Sequence, residues 1–326
     1  MLFAMAVLAC SRPTPAPGAV VVVMDTLRAD YGGSDRLPRF PADQCRAYTR
    51  AHSAAPYTSA STAALVSGRL PAGAEKRRPV DAAGAWPEDA WPTAVLTDQP
   101  VLWSMRGEGD GWAAGMRGYM PGSEALVEEG VAWLESPPTE PWALYWHGLG
   151  AHAPYAGAMP DHRVIPGCDA MTAPDRAVCE AQKSDEAWPD GLDEWMTWQY
   201  RAAAERSQRG AESLLRAAPA DSLFIFTSDH GEALGEYGLW GHAHSLHDAE
   251  IHVPLIVCGP GVIPGTDDTP VGPLCIAETV TGRGPCDLRT GEGLRAGEAG
   301  MLVEGEWVVR DVAGEWAELA HGGPAG

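Results

Sequence analysis

The sequence predicts an α/β fold, and three observations carry that expectation. Ala19–Met24 (AVVVVM), Trp142–Trp146 (WALYW) and Ser222–Phe226 (SLFIF) are short, unbroken apolar runs, as strands buried on both faces read. Each run gives way at once to polar chemistry: Asp25 after the first, His147 after the second, Ser228-Asp229-His230 just past the third. Between the last two runs, Leu192–Ala217 has helical spacing, with Tyr200, Ala204, Ser207, Ala211 and Leu214 on one face. Ligands of open α/β sheets gather at such carboxyl ends of strands.

The other elements follow in chain order. Residues 11 to 18 are proline-rich and read as a tether. In Ala55–Pro71 a hydroxyl-rich turn opens a short helix that stops at Gly68. Residues 72 to 121 have poor periodicity and read as loop, with a short strand at Thr93–Leu96. Glu124–Leu134 predicts a helix through Leu126, Val127, Val131 and Leu134. Residues 158 to 189 read as an irregular insertion. Ile251–Cys258 predicts a strand in which Pro254 implies an edge or a bulge. Beyond Gly265, Met301–Val309 and Glu315–Leu319 suggest a small terminal β element, and no internal repeat is visible. The expected division is a leader and tether over 1–18, a main α/β domain over 19–265 and a small subdomain over 266–326.

The 326 residues are ample for a sizeable core, and 44 acidic against 23 basic residues give a net charge of -21. Such a chain repels nucleic acid and anionic membrane surfaces, which excludes both as partners. Its expected membrane contact is a lipid anchor: Val7-Leu8-Ala9-Cys10 resembles a lipobox, although the apolar run before it is too short to span a bilayer and lacks a basic start. This places the protein in the cell envelope, in the periplasm or as an outer-membrane lipoprotein. Six cysteines then remain, an even number that suits an oxidising compartment. Cys168 with Cys179 and Cys275 with Cys286 would close local loops and Cys45 with Cys258 would be the remainder; buried free thiols are the alternative.

Three ordered segments carry a family resemblance: Val23-Met24-Asp25-Thr26-Leu27-Arg28-Ala29-Asp30, then Thr58 through Ser67-Gly68-Arg69-Leu70-Pro71, then Ser228-Asp229-His230-Gly231-Glu232 running on to Trp240-Gly241. Together they resemble the sulfatase branch of the alkaline phosphatase superfamily over about residues 19 to 160 and 190 to 262. The resemblance implies a single α/β domain, a mixed sheet flanked by helices. It also implies that Asp25, Thr58, Asp229 and His230 gather around one divalent cation, with Thr58 as nucleophile. Two carboxylates, an imidazole and a hydroxyl suit zinc or manganese, while calcium, the remaining option, prefers more oxygen donors. The bland alternative for Thr58 is a helix cap, a role that Ser59 or Ser61 could equally fill.

His152, in His152-Ala153-Pro154-Tyr155, and His242 match the family's anion-binding and proton-transferring positions, and His244 lies beside them. Asp30 reads as a cap or ion-pair partner, Arg28 as a brace, His247 and His252 as structural, and His162 and His321 as surface residues. Departures from the sulfatase pattern decide the expected chemistry. Thr58, Ala60 and Thr62 stand where sulfatases carry Cys-x-Pro-x-Arg, and threonine cannot yield formylglycine. Residues 53 to 146 hold no histidine and only Lys76, and His242 replaces the late lysine. The pattern therefore resembles phosphodiesterases and phosphoethanolamine transferases, which work through a phosphothreonine, on a small-molecule, lipid or glycan ester. A sulfuric ester hydrolase by descent and a non-catalytic envelope lipoprotein are the two alternatives.

Overall fold

In the computed structural model the described residues are 16–32, 40–68, 93–104, 116–119, 123–139, 141–152, 192–282, 284–294, 298–303 and 306–311. The lipobox segment, the tether up to residue 15, the Cys168 and Cys179 pair, the 158–189 insertion and Glu315–Leu319 lie outside them.

These residues build an eight-stranded sheet. Its strands are β1 (Gly18–Met24), β2 (Cys45–Tyr48), β3 (Thr93–Thr97), β4 (Met116–Tyr119), β5 (Trp142–Gly148), β6 (Leu223–Thr227), β9 (Leu255–Cys258) and β10 (Gly265–Asp267). The order is β10-β2-β9-β6-β1-β5-β3-β4. β6, β1, β5, β3 and β4 run parallel, whereas β9 is antiparallel to both β6 and β2. Two short strands, β7 (Ala233–Leu234) and β8 (Trp240–Gly241), pair separately, and β11 (Glu298–Val303) forms an antiparallel hairpin with β12 (Glu306–Asp311). The helices are α1 (Ala29–Gly32), α2 (Thr58–Ser67), α3 (Pro100–Ser104), α4 (Ser123–Leu134), α5 (Leu192–Ala217), α6 (Asp248–Ile251) and α7 (Leu274–Thr281).

Period-two alternation sorts the strand residues onto two faces. Val20, Val22, Leu144, Trp146, Phe224 and Phe226 pack with Leu126 and Leu134 of α4 and with Tyr200, Ala204, Ala211 and Leu214 of α5. Val21, Val23, Ala143, Tyr145 and Ile225 pack on the other face, with Leu65 and Val66 of α2 and Cys275, Ile276 and Val280 of α7. The sheet is thus a middle layer covered on both sides, which is why its strands read as continuous apolar runs. Counting on by two from Tyr145 puts His147, still within β5, on the α2 side, and Asp25 follows β1 directly.

Several sequence expectations shift by a residue or more. The run Ile251–Cys258 is not one strand: Ile251 closes α6, and β9 starts at Leu255. Pro254 precedes that strand, so the missing N–H costs no ladder bond, and β9 lies inside the sheet rather than at an edge. Residues past 265 do not leave the layer at once, because β10 pairs with β2 and α7 lies in the core with Val21. The separate β element after residue 265 is the β11–β12 hairpin. Among the described residues two disulfides form, Cys45–Cys258 joining register partners on β2 and β9, and Cys275–Cys286. No described helix is long and apolar enough to cross a membrane.

Candidate functional site

The site forms where β1, β5 and β6 end side by side, because their parallel register sets Val23 opposite both His147 and Thr227. Asp25 leaves β1 through a strained turn. Thr26 adopts φ 59, a left-handed conformation unusual for a β-branched residue and a cost that sites of this kind sustain with outside support. Tyr200 of α5 supplies it: its hydroxyl donates to the Thr26 carbonyl at 2.6 Å and accepts the Arg28 N–H at 2.8 Å. The Thr26 N–H in turn donates to Asp229 Oδ1 at 3.3 Å.

Arg28 ties this turn to the loop after β6. It pairs with Asp30 at 2.8 Å and with Glu236 at 2.6 Å, and donates to the Glu232 carbonyl at 3.1 Å. Gly231 permits a close approach rather than an unusual dihedral: a Cβ there would meet the Ala249 carbonyl oxygen at 2.2 Å.

Asp25, Asp229 and His230 are wholly buried, and each offers a ligand atom within 4.8 Å of the others. His230 Nδ1 must carry its proton toward the Gly231 carbonyl, 2.9 Å away, since a carbonyl can only accept. That leaves Nε2 facing Asp25 Oδ1 at 3.7 Å, Asp229 Oδ2 at 3.5 Å and Thr58 Oγ1 at 3.2 Å. Neither Asp25 Oδ1 nor Asp229 Oδ2 has a hydrogen-bond donor. Buried carboxylate oxygens without donors are costly, and a cation among them removes that cost, so this donor set fits a divalent metal ion. Burial acts to raise the Asp25 pKa, but charge from His152, the His147 hydrogen bond and charge from His230 outweigh it and hold the carboxyl far below its usual range.

Thr58 is the first residue of α2, not its cap. The cap position is Tyr57, extended at φ -158 and ψ 152 and without a side-chain capping bond. The Thr58 hydroxyl therefore points to His230 while the helix start leaves backbone N–H groups open to an anion.

A histidine and carboxylate system stands on the other side of His230. His242 Nδ1 donates to the buried Glu232 Oε2 at 3.0 Å, and its ring lies 4.6 Å from His230 and 5.0 Å from His152, centroid to centroid. Burial disfavours the imidazolium, yet the Glu232 charge and hydrogen bond raise the His242 pKa to about 9. His244 is separate from this group: it is exposed, and its N–H donates to Glu250 Oε2 at 2.9 Å. The structure thus brings Asp25, Thr58, Asp229, His230, His152 and His242 together and leaves His244 on the rim.

Sequence reading did not single out Gln99, Asp98, His147 as a site residue, Glu232 or Tyr200. Gln99 donates to Asp25 Oδ2, and His147 Nε2 approaches the same oxygen at 3.3 Å. A visible signal existed for Asp98 and Gln99, which directly follow the apolar strand ending at Thr97, as Asp25 follows β1.

The site is a carboxylate and imidazole centre at the carboxyl edge of a mixed α/β sheet, beside a helix that starts on a hydroxyl. The sulfatase family model matches residues 97–283, more than half of the chain. The chain belongs to the sulfatase family. It is 42% identical over 60 residues to a choline-sulfatase of Rhizobium meliloti, covering 18% of this chain and 12% of the relative. It is 29% identical over 133 residues to the low-salt glycan biosynthesis sulfotransferase Agl7 of Haloferax volcanii, covering 38% and 28%. The matched segments thus span well under a third of either curated relative. Among solved structures, a putative sulfatase from Bacteroides thetaiotaomicron superposes with TM-score 0.63 at 16% identity, over 91% of this chain and 82% of that one. The phosphonate monoester hydrolase of Agrobacterium radiobacter gives 0.63 at 17%, over 90% and 86%. The periplasmic domain of EcEptC from Escherichia coli, in complex with Zn, gives 0.56 at 13%, over 83% and 82%. At these identities the structural likeness shows the fold.

Proposed function

We propose that this chain is a metal-dependent phosphoester hydrolase or transferase working through a phosphothreonine on Thr58. One observation carries the reading: the Thr58 hydroxyl lies 3.2 Å from His230 Nε2, beside two buried carboxylates that each keep an oxygen without a donor. Asp25, Asp229, His230 and Thr58 would hold one divalent cation, zinc or manganese by donor type. A cation held there would supply positive charge that favours the deprotonated Thr58 oxygen, whose proton leaves to water, and would offset charge on the ester.

Thr58 Oγ1 then attacks phosphorus as the bond to the leaving oxygen breaks, and the α2 start receives the anionic oxygens. Protonated His242, held by Glu232, gives its Nε2 proton to the leaving oxygen, with His152 beside it. In the second half, water or an acceptor alcohol attacks phosphorus and returns a proton to His242. The P–Oγ1 bond breaks and Thr58 is restored. The substrate would be a phosphodiester or phosphoethanolamine-type ester on a small molecule, lipid or glycan. The two disulfides and the likeness to a periplasmic domain support the cell envelope as its location.

The identity to a choline-sulfatase favours a second reading, a sulfuric ester hydrolase. Against it stands the threonine at position 58, whose secondary hydroxyl can oxidise only to a ketone and so cannot become formylglycine. Chromogenic phosphodiester, phosphomonoester and sulfate esters, assayed with Zn, Mn and Ca, separate the readings. Phosphoesters turning over faster supports this proposal; sulfate esters turning over faster sinks it. No turnover of any ester, with or without metal, would favour a non-catalytic protein.

A further inference from the structure

The two oxygens of Asp25 have opposite surroundings. Oδ2 is surrounded by donors, with the Gln99 amide against it and His147 Nε2 at 3.3 Å, while Oδ1 has none and faces His230. A carboxylate accepts only, so His147 presents its Nε2 proton to Asp25, while its Nδ1 pairs with the Tyr145 hydroxyl at 3.1 Å, which orients the ring. Gln99 is fixed in turn, its Oε1 accepting the Val101 N–H at 3.0 Å at the start of α3.

Three strands meet in this arrangement. Thr97 of β3 is register partner of His147 on β5, which is partner of Val23 on β1, so Gln99, His147 and Asp25 arrive side by side. All three are buried. Nothing in their pairing requires a cation, and its effect is to fix which carboxylate oxygen is left over.

We propose that Gln99 and His147, the latter set by Tyr145, are positioning residues that hold Asp25 Oδ2 and so turn Oδ1 toward the divalent cation. The inference rests on the metal reading above and adds the residues that set the cation affinity. Partners of ligating carboxylates are worth about 10- to 100-fold in metal affinity. Loss of the Gln99 amide frees Asp25 to rotate, and loss of the Tyr145 hydroxyl frees the His147 ring to turn away from Asp25.

The test is the Kd for Zn2+, by competition with a chromophoric chelator, for full-length wild type, Gln99→Met, Tyr145→Phe, His147→Gln and His147→Phe. The melting temperature of each chelator-stripped protein is measured alongside. The expected result is a Kd raised about 10-fold or more for Gln99→Met and Tyr145→Phe. His147→Gln, whose amide can still donate to Asp25, should weaken binding less than a His147→Phe exchange. Purely structural roles would instead lower the metal-free melting temperatures and leave Kd within about twofold, and that result overturns the proposal. Wild type that binds Zn2+ while all variants bind equally well overturns this inference alone; wild type that binds no cation overturns both it and the metal reading.

Discussion

Thr26 shows how much of the site depends on single residues placed far away in sequence. Its φ of 59 is held by the Tyr200 hydroxyl, which satisfies both the Thr26 carbonyl and the Arg28 N–H inside the protein. Tyr200→Phe leaves two buried backbone groups without partners, at about 1–3 kcal/mol each. Urea unfolding should therefore show a loss of about 2–6 kcal/mol, large for the removal of one oxygen atom. A change under about 0.5 kcal/mol would mean that the turn holds itself. His242 is the second residue-scale case. With its pKa raised to about 9, it is a proton donor at neutral pH. Leaving-group protonation should hold at lower pH and fail as pH rises through about 9, and His242→Gln should remove that limb and lower turnover about 100-fold or more. An unchanged alkaline limb in the variant assigns it to another group. Asp25 was legible because it directly follows an apolar run, and Asp229 and His230 because they stand together in the short polar stretch after another. Gln99 and Tyr200 were not, since an amide after a weak strand and a tyrosine on a helix face have many ordinary explanations.

At the scale of elements, strand ends do most of the positioning. Parallel register brings the ends of β1, β5 and β6, and with them Asp25, His147 and Asp229, to one edge, which the sequence shows only when strand boundaries and order are known. The helix 192–217 was legible to the residue because its apolar face is long, whereas the start of β9 was hidden by the apolar Ile251 and Val253, which belong to a helical turn and a loop. Asp98, between β3 and α3, gives a pH prediction. Burial raises its pKa to about 6, against the hydrogen bond from the Leu149 N–H. A carboxyl with a raised folded-state pKa contributes stability that is full below its unfolded value near 4 and lost as pH rises through about 6. Asp98→Asn keeps the acceptor for Leu149 and removes the titration. The variant should thus gain on wild type by about 2–3 kcal/mol between pH 4 and pH 7. Parallel stability curves would show that Asp98 ionises freely.

Across the whole molecule, the Cys45–Cys258 bond joins segments 213 residues apart and pins β2, the strand that carries β10, onto β9. Long loops lose the most unfolded-state entropy on closure, so replacing both cysteines with alanine should cost about 2–5 kcal/mol. Unfolding midpoints of this variant and of wild type, with and without reductant, check it; equal midpoints would show that the bond contributes nothing.

The central claim, that Thr58 becomes phosphorylated, is tested most directly by mass spectrometry of enzyme quenched during turnover of a slow phosphoester. The account predicts phosphate on the peptide carrying Thr58, absent from Thr58→Ala, whose turnover should fall about a thousandfold or more. An unmodified peptide, with Thr58→Ala keeping near-normal turnover, would contradict it.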